Sequence, residues 1–360
     1  MTTYPLIGAT KDATILPQGA SDLLAGDEEN IWITSGSLNS RYYIAGAAKP
    51  WPGIQDGVIL AGGLKGLEPS FKHIDIKAAR QPGVTWTGTN YDVLEMDMQL
   101  EAHANTAQGL SQVVSEWVAM WAPEKLNTLE CWTLDRGYWY FPARRSKAFP
   151  DVLKQMPRTI RKRPFTQTVR CDSGFWFGFP SIDSYSPGAG GSGSDWLGLT
   201  NIGDRDEGGW PTFLITGPGT FSWSNGPADG TTTMITFGPL QAGQKVLITT
   251  NKRLRNVIDL SNTTAAAPPN SAIAKLLTAI NNFVVNNNVP PVLQQFESRF
   301  GLLPPQGPLQ ALLTGEYTNP IPGVEQPNQA TVSHIAVSVT GGNADSKIVG
   351  RIDPQRGWPE

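Results

Sequence analysis

Charged residues are scarce in this sequence of 360 residues: they make up 16% of the chain, against about 25% in an average globular protein. It contains only two cysteines, Cys131 and Cys171, which excludes a disulfide scaffold and a zinc site with four thiolate ligands. No apolar run approaches the length of about 18 residues that a membrane-spanning helix needs. The first residues also lack the apolar segment of a signal peptide. We therefore expect free, buried thiols and no membrane span.

Glycine, proline and tryptophan are abundant, with 38, 29 and 12 residues respectively. Hydrophobic residues make up 39% of the chain, which is enough to build cores and to exclude global disorder. Few charges, many turn-forming residues and many aromatics are typical of short strands joined by turns. The composition predicts a mainly β protein with a few helices, and the length predicts two or three domains.

Residues 1–180 are interpreted as one β-sandwich-like domain with one packed helix. The stretch from Tyr91 to Ala102 alternates between apolar and polar residues, as a half-buried strand does. From Leu110 to Trp121 the apolar residues follow helical spacing instead, and Asn105 or Thr106 is the candidate cap. The other strands predicted in this domain are Asn30–Thr34, Phe71–Ala78, Leu126–Leu134, Tyr138–Ala143 and Phe165–Cys171.

Residues 181–195 are rich in glycine and serine and predict a linker, because they contain too few apolar residues to pack. Residues 196–360 predict a second β-sandwich, in which short β-branched or aromatic runs alternate with turn dipeptides. Residues 262–329 interrupt this pattern and are interpreted as a helical insertion. The strands predicted here are Thr212–Thr216, Thr220–Ser224, Thr232–Phe237, Lys245–Thr250, Leu254–Leu260, Val332–Thr340 and Lys347–Ile352.

Positive charge is concentrated between Arg136 and Arg170, where ten basic residues accompany one acid, Asp151. This segment carries +9, which leaves −12 on the remainder of a chain whose net charge is −3. Such segregation is typical of a surface that docks to an acidic partner or to another copy of the chain. Nucleic acid is an alternative partner, but no nucleic-acid motif accompanies the cluster. The candidate subunit-interface residues are Arg144, Arg145, Arg161, Lys162 and Arg163.

Two stretches of the second domain resemble the C-terminal domain of siphophage distal tail proteins, also known as phage minor tail proteins. One is Leu199-Thr200-Asn201-Ile202-Gly203-Asp204 with the following residues 210–217. The other is the hairpin of residues 235–250, with Gln244 where glutamate is common. Residues 171–176 (CDSGFW) resemble the segment that closes the family's N-terminal domain, with Ser173-Gly174 in place of its usual proline. The resemblance covers most of the chain but not residues 262–329.

The resemblance implies a structural role with no chemistry of its own. In this family the N-terminal domains form a six-fold ring around a central channel, and a galectin-like C-terminal sandwich points outward. The implied partners are other copies of this chain, the tail tube protein and the tail hub or tip fibre proteins, with DNA only in transit. The protein would be made in the host cytoplasm and would lie at the distal end of the virion tail, without a cofactor. The composition resembles versions from phages of actinobacteria.

Acidic residues share one face of the alternating strand: Glu95, Asp97 and Glu101, followed on the same face by His103. Metal ligation or acid–base catalysis is one interpretation of such a face, and plain solvation is another. The implied ring offers a third interpretation, in which Glu95, Asp97 and Glu101 face the channel. Repeated negative charge would there repel the DNA backbone.

Three other patterns have competing interpretations. Residues 188–193 match G-x-G-x-x-G, but they predict a linker because no βαβ pattern surrounds them. Asp204, Asp206 and Glu207 lack the spacing of a calcium loop and predict a polar turn. Trp210 and Trp223 predict a glycan-binding or partner-binding surface, so a carbohydrate-binding host-recognition module is the alternative function. A glycan-degrading enzyme with two carboxylates is a remote alternative, since the sequence predicts no catalytic, cofactor or metal site.

Overall fold

The computed structural model of this chain describes residues 29–36, 41–77, 82–133, 136–149, 157–227, 233–251, 256–261, 309–325 and 329–359. It divides into two compact units: the first is Met1–Gly178 with Arg356–Glu360, and the second is Phe179–Gln355. Both units consist mainly of antiparallel strands. The predicted fold class, mainly β with a few helices, is confirmed.

An antiparallel sheet with a helix packed on it forms most of the first unit. Its strands are β1 (Asn30–Thr34), β2 (Arg41–Ala45), β3 (Gly57–Lys65), β4 (Phe71–Ile76), β5 (Thr85–Tyr91), β6 (Leu94–His103), β7 (Asn127–Thr133), β8 (Gly137–Arg145), β9 (Lys162–Cys171) and β10 (Trp176–Gly178). Its helices are α1 (Ala107–Met120) and the single turn α2 (Pro157–Ile160). The main sheet has the order β2-β1-β7-β8-β9-β6-β3, β10 pairs with β8, and β4 and β5 form a separate two-stranded sheet.

Helix α1 begins after Thr106, whose hydroxyl accepts a 2.9 Å hydrogen bond from the amide of Gly109. Trp117 Nε1 donates a 2.7 Å hydrogen bond to Gln167 Oε1 on β9, which joins the helix to the sheet. Val118, predicted on the same apolar stripe, is exposed. Each large apolar side chain that is fully buried contributes about 1.5–3 kcal/mol. The buried residues of the helix are Leu110, Val113, Trp117 and Met120.

The second unit is a β-sandwich of two five-stranded antiparallel sheets. Its strands are β11 (Ser181–Tyr185), β12 (Gly193–Leu199), β13 (Thr212–Thr216), β14 (Gly219–Ser224), β15 (Met234–Leu240), β16 (Lys245–Thr249), β17 (Asn256–Asp259), β18 (Leu313–Thr314), β19 (Ser333–Thr340) and β20 (Lys347–Ile352). One sheet has the order β11-β20-β13-β16-β17, and the other has the order β12-β19-β14-β15-β18. Buried side chains from both sheets, among them Phe213 and Phe237, form the core.

Residues 181–195, predicted as a linker, belong to the second unit instead. β11 pairs with β20 along its whole length, and β12 begins at Gly193. The glycines allow close approach of two backbones. Gly191 has a φ of +68°, and a Cβ there would lie 2.4 Å from the carbonyl oxygen of Gly342. Because the amide of Gly342 donates a 2.6 Å hydrogen bond to Gly191 O, this segment is fixed by pairing.

Residues 262–329, predicted as a helical insertion, divide into two parts. Residues 262–308 lie outside the described residues. Residues 309–325 are part of the sandwich, because β18 pairs with β15 and because Tyr317 and Ile321 are buried in the core. A strand of two residues is too short to show alternation, so the sequence pattern could not identify it.

The motif Leu199–Asp204 forms a turn at the end of β12, in which Asn201 and Gly203 are buried. Asn201 is 2% exposed; its Oδ1 accepts a 3.1 Å hydrogen bond from the amide of Gly203, and its Nδ2 donates a 3.0 Å bond to Ile321 O. A Cβ at Gly203 would lie 2.1 Å from the carbonyl oxygen of Gln355. The asparagine and the glycine of this motif are therefore both required by the packing of the turn.

Candidate assembly surface

The β4–β5 hairpin concentrates exposed hydrophobic side chains on the first unit. Their exposed fractions are 48% for Phe71, 54% for Ile74, 60% for Ile76, 54% for Val84 and 61% for Trp86. A single exposed hydrophobic residue is ordinary, but a group of this size marks a surface that interacts with another molecule. The sequence predicts β4, whereas β5 was missed; the run Val84-Thr85-Trp86-Thr87 was the available signal.

The two faces of this hairpin differ in chemistry. Because side chains alternate along a strand, Ile74 and Ile76 share one face, and Phe71 and His73 share the other. On the aromatic face, Trp86 Nε1 donates a 3.2 Å hydrogen bond to Thr89 Oγ1, and His73 Nδ1 lies 3.2 Å from the same oxygen. The hairpin thus presents an aliphatic face and an aromatic face.

The base of the hairpin is attached to the first unit. The amide of Asp92 donates a 2.8 Å hydrogen bond to Ser70 O, and the hydroxyl of Ser70 donates a 3.2 Å bond to Asp92 Oδ2. The ring of Tyr91 lies 5.2 Å from that of the buried residue Phe175. Beyond this base, an isolated two-stranded hairpin is only marginally stable in water, so contact with another surface would stabilise it.

The acidic face of β6 contacts basic and polar groups of the same chain. Lys147 Nζ lies 3.7 Å from Glu95 Oε2, and Lys162 Nζ lies 2.9 Å from Glu101 Oε1. Asp97 accepts a 2.5 Å hydrogen bond from a threonine of β9. These pairs are partly exposed and contribute about 0–1 kcal/mol each, but they reduce the negative potential of the face. The channel-facing role of Glu95, Asp97 and Glu101 stays a prediction.

The candidate subunit-interface residues form two groups rather than one cluster. Arg144 and Arg145 lie beside Arg170 near the end of β9, whereas residues 161–163 lie at its beginning. About eight residues of extended strand separate the groups, or roughly 26 Å at ~3.3 Å per residue. Arg144 Nε is 3.7 Å from Asp172 Oδ2. A segment that is continuous in sequence therefore supplies charge at two distant places.

His103, expected on the solvated acidic face, is only 2% exposed. It is the last residue of β6 and lies opposite Gly57 of β3 and Lys162 of β9. The chain then turns towards α1, where the amide of Ala104 donates a 3.2 Å hydrogen bond to Arg161 O. Strand alternation stops predicting exposure at this turn. Burial lowers the pKa of His103 below its ordinary value, so the imidazole is neutral at neutral pH.

The tryptophans predicted for a glycan-binding or partner-binding surface are not exposed platforms. Trp223 is 1% exposed, and its ring lies 4.9 Å from that of Phe213 in the core. Trp210 is half-buried and meets Tyr317 edge to face at 6.0 Å. The expected surface at Trp223 is therefore wrong, because β14 directs this side chain between the sheets. Trp196, by contrast, is 54% exposed.

Other polar candidates have ordinary structural roles. Cys131 and Cys171 are buried and form no disulfide, as predicted, and burial raises the pKa of the Cys171 thiol. Asp204 Oδ1 lies 3.2 Å from Arg205 Nε, and Asp206 accepts a 3.1 Å hydrogen bond from a backbone amide. Within the described ranges, no three His, Cys, Asp or Glu residues are grouped to hold a metal ion. Among the described helices, none combines the length and hydrophobicity needed to cross a membrane.

Comparison with known proteins finds similarity in structure. No protein-family model matches the chain, and no curated protein matches its sequence. The Dit protein of phage SPP1, described as a paradigm of the hub adsorption apparatus in phages that infect Gram-positive bacteria, is 9% identical with a TM-score of 0.42. The match covers 82% of this chain and 93% of that chain.

The phage p2 baseplate in its activated conformation, with strontium and with calcium, contains a chain that is 11% identical with a TM-score of 0.42. These matches cover 86% of this chain and 97% of that chain. These three similar structures are a phage Dit protein and chains of a phage baseplate.

Proposed function

We propose that this chain is a structural protein of a long, non-contractile phage tail. Copies of the chain form a closed ring at the distal end of the tail, with six subunits in keeping with the sequence resemblance. The ring joins the tail tube to the tip or baseplate hub, and DNA passes through it in transit. The role consists of binding neighbouring proteins and includes no catalysis.

The β4–β5 hairpin is the observation that carries this proposal. It exposes hydrophobic residues on both faces, so a single flat contact would leave one face in water. A neighbouring subunit that receives the hairpin between its own elements can cover both. In such a head-to-tail contact the hairpin of one copy meets a different surface of the next copy. Repeated contacts of this kind form a closed ring when the rotation between neighbouring subunits divides a full turn evenly.

One end strand of the main sheet favours the same kind of assembly. β2 and β3 are the terminal strands of the order β2-β1-β7-β8-β9-β6-β3; β2 is mostly buried and lies close to β3, whereas residues 61–65 of β3 are largely exposed. Strand edges carry backbone donors and acceptors that a further strand can pair with. A hairpin from a neighbouring copy is a suitable partner, because it brings its own strand edge together with hydrophobic side chains.

Negative-stain imaging of the purified chain, alone and mixed with tail tube protein, tests the proposal. We expect ring-shaped particles with an open centre. Particles that stay single in both samples would contradict it. Incubation with cell-wall polysaccharide tests the absence of catalysis: we expect the polymer to stay intact, whereas turnover that is lost on changing one carboxylate would favour an enzyme.

A further inference from the structure

The corner between β6 and α1 is held together by hydrogen bonds at the surface of the first unit. The backbone amide of Asn105 donates a 2.7 Å hydrogen bond to Asp56 Oδ1, and its side-chain amide donates a 3.2 Å bond to Ile54 O. The guanidinium of Arg161 donates a 2.8 Å bond to Asn105 O, and Arg161 O accepts a 3.2 Å bond from the amide of Ala104. Ile54, Asn105 and Arg161 are exposed, so water competes for these bonds. The β6–α1 corner comprises residues 54–56, 103–106 and 161.

His103 is the buried histidine of this corner. Both ring nitrogens are inaccessible to water, and neither makes a hydrogen bond of normal geometry within the described residues. Buried polar atoms in folded proteins are nearly always paired, so the closed corner is an unfavourable place for a second proton on this ring. Burial lowers the pKa of His103 more than the nearby backbone of Gln55 raises it.

The charged groups around His103 do not compensate for its burial. Glu101 and Asp56 favour the protonated ring, whereas Lys162 opposes it. Both carboxylates already accept a hydrogen bond from another group: Glu101 Oε1 lies 2.9 Å from Lys162 Nζ, and Asp56 Oδ1 accepts the amide of Asn105. Helix α1 has no acidic residue in its first turn, so it contributes only the positive end of its dipole here. A second positive charge inside the closed corner is therefore costly.

We propose that the β6–α1 corner is an acid-sensitive latch, which opens when His103 is protonated and closes when His103 is neutral. In the open corner the imidazole reaches water, which stabilises its positive charge. Residues 54–56 and the start of α1 then separate from the strand ends, while the core of the first unit stays folded. Such a local opening needs less free energy than global unfolding, because the bonds that break lie at the surface.

Opening of the latch also releases Arg161. Its φ of 57° lies in the left-handed region, which is strained for a residue with a side chain. Its bonds to Ala104 and Asn105 hold it in this conformation. Arg161 and Lys162 are candidate subunit-interface residues, so acid would change the surface that they form. Only this consequence rests on the proposed function, whereas the latch itself does not depend on a ring.

The direction of the pH dependence follows from the two environments of the imidazole. In the open corner its pKa returns to about 6.5, whereas burial lowers it in the closed corner. The open form binds more protons, so its population increases as the pH falls below about 6.5. Between about pH 7.5 and about pH 5.5 the ratio of open to closed forms should rise by up to about tenfold.

Amide hydrogen exchange of the full chain at these two pH values tests the inference. It is read by mass spectrometry and corrected for the intrinsic exchange rate at each pH. We expect the peptide with the amides of Ala104 and Asn105 to lose up to about tenfold of its protection at the lower pH. The amide of Ser146 donates a 2.9 Å hydrogen bond to Thr168 O in the same unit and is the internal control. Its protection should stay unchanged.

Two variants and one titration show whether His103 is the group responsible. His103→Gln carries an amide that does not titrate and should abolish the pH dependence at the corner. His73→Gln, which changes an exposed histidine of the first unit, is the matched control and should keep it. NMR titration of the wild-type histidines needs no substitution at this position, and the His103 ring should titrate below about pH 6.5.

Several results would overturn the inference. They are equal protection of the corner at both pH values, an unchanged pH response in His103→Gln, and titration of His103 at or above about pH 6.5. An equal loss of protection at Ser146 would also overturn it, because that result means global unfolding. Sedimentation at both pH values reports assembly separately. Corner opening with unchanged assembly would support the latch and exclude Arg161 from the subunit contact, so failure of the latch and failure of the ring are distinguishable.

Discussion

Replacing two hydrophobic residues of the β4–β5 hairpin, Ile74→Ser with Ile76→Ser, should prevent assembly without unfolding the subunit. The two side chains are 54% and 60% exposed in the single chain, so their removal should change its stability by no more than about 0.5 kcal/mol each. Fully burying one such side chain contributes about 1.5–3 kcal/mol. Covering the exposed fraction in an assembly contributes the same fraction of that free energy. The pair therefore contributes about 2–3 kcal/mol to each contact, which corresponds to an association constant weakened on the order of 30- to 150-fold.

Sedimentation velocity over a range of concentrations measures this effect, and thermal unfolding followed by circular dichroism measures the stability of the subunit. Ile54→Ser is a matched control, because Ile54 is 65% exposed on the first unit outside the hairpin; we expect it to assemble like the wild type. Wild-type assembly of the double variant would refute the role of the hairpin. A large loss of thermal stability would show instead that the hairpin packs within its own subunit.

Three further changes test other parts of the structure. Trp223→Ala should lower the free energy of unfolding by about 3–5 kcal/mol, because it leaves a void in the core; an unchanged urea denaturation curve would mean that this side chain is not packed there. Because burial lowers the pKa of His103, the unfolded chain takes up this proton first, and stability should fall as the pH drops below about 6.5. His103→Gln should flatten that dependence in denaturation curves at several pH values, and an identical slope would argue against the burial. Reversing Arg161, Lys162 and Arg163 to glutamate should weaken assembly at low salt more than at high salt; light scattering that matches the wild type at both would exclude these residues from the interface.

Local sequence patterns correctly predicted the strands and helices whose conformation depends on residues close in sequence. The alternation from Tyr91 to Ala102 identified β6, and the helical spacing from Leu110 to Trp121 identified α1, because one buried face is enough to impose each period. The segment 181–195 was different. Its glycines allow close contact with residues distant in sequence, such as Gly342, and composition alone cannot distinguish that from a linker.

The candidate surfaces were harder to predict, because exposure depends on which elements cover a strand. The hydrophobic residues of β4 are typical of a buried strand, yet all six residues of β4 are exposed. Conversely, Trp223 was expected at the surface, although its spacing from Phe221 within one predicted strand already favoured a shared, buried face. Pairing of Glu101 of β6 with Lys162 also required the register with β9, which the sequence does not specify locally.

Native mass spectrometry of the intact wild-type chain tests the central claim most directly. One subunit has a mass of 38.9 kDa. The proposed ring predicts a closed species of six times this mass, or a face-to-face pair of such rings, which the Ile74→Ser and Ile76→Ser double variant should lack. A single subunit at every concentration, with and without tail tube protein, would contradict the claim, and so would a dimer that the double variant forms equally well.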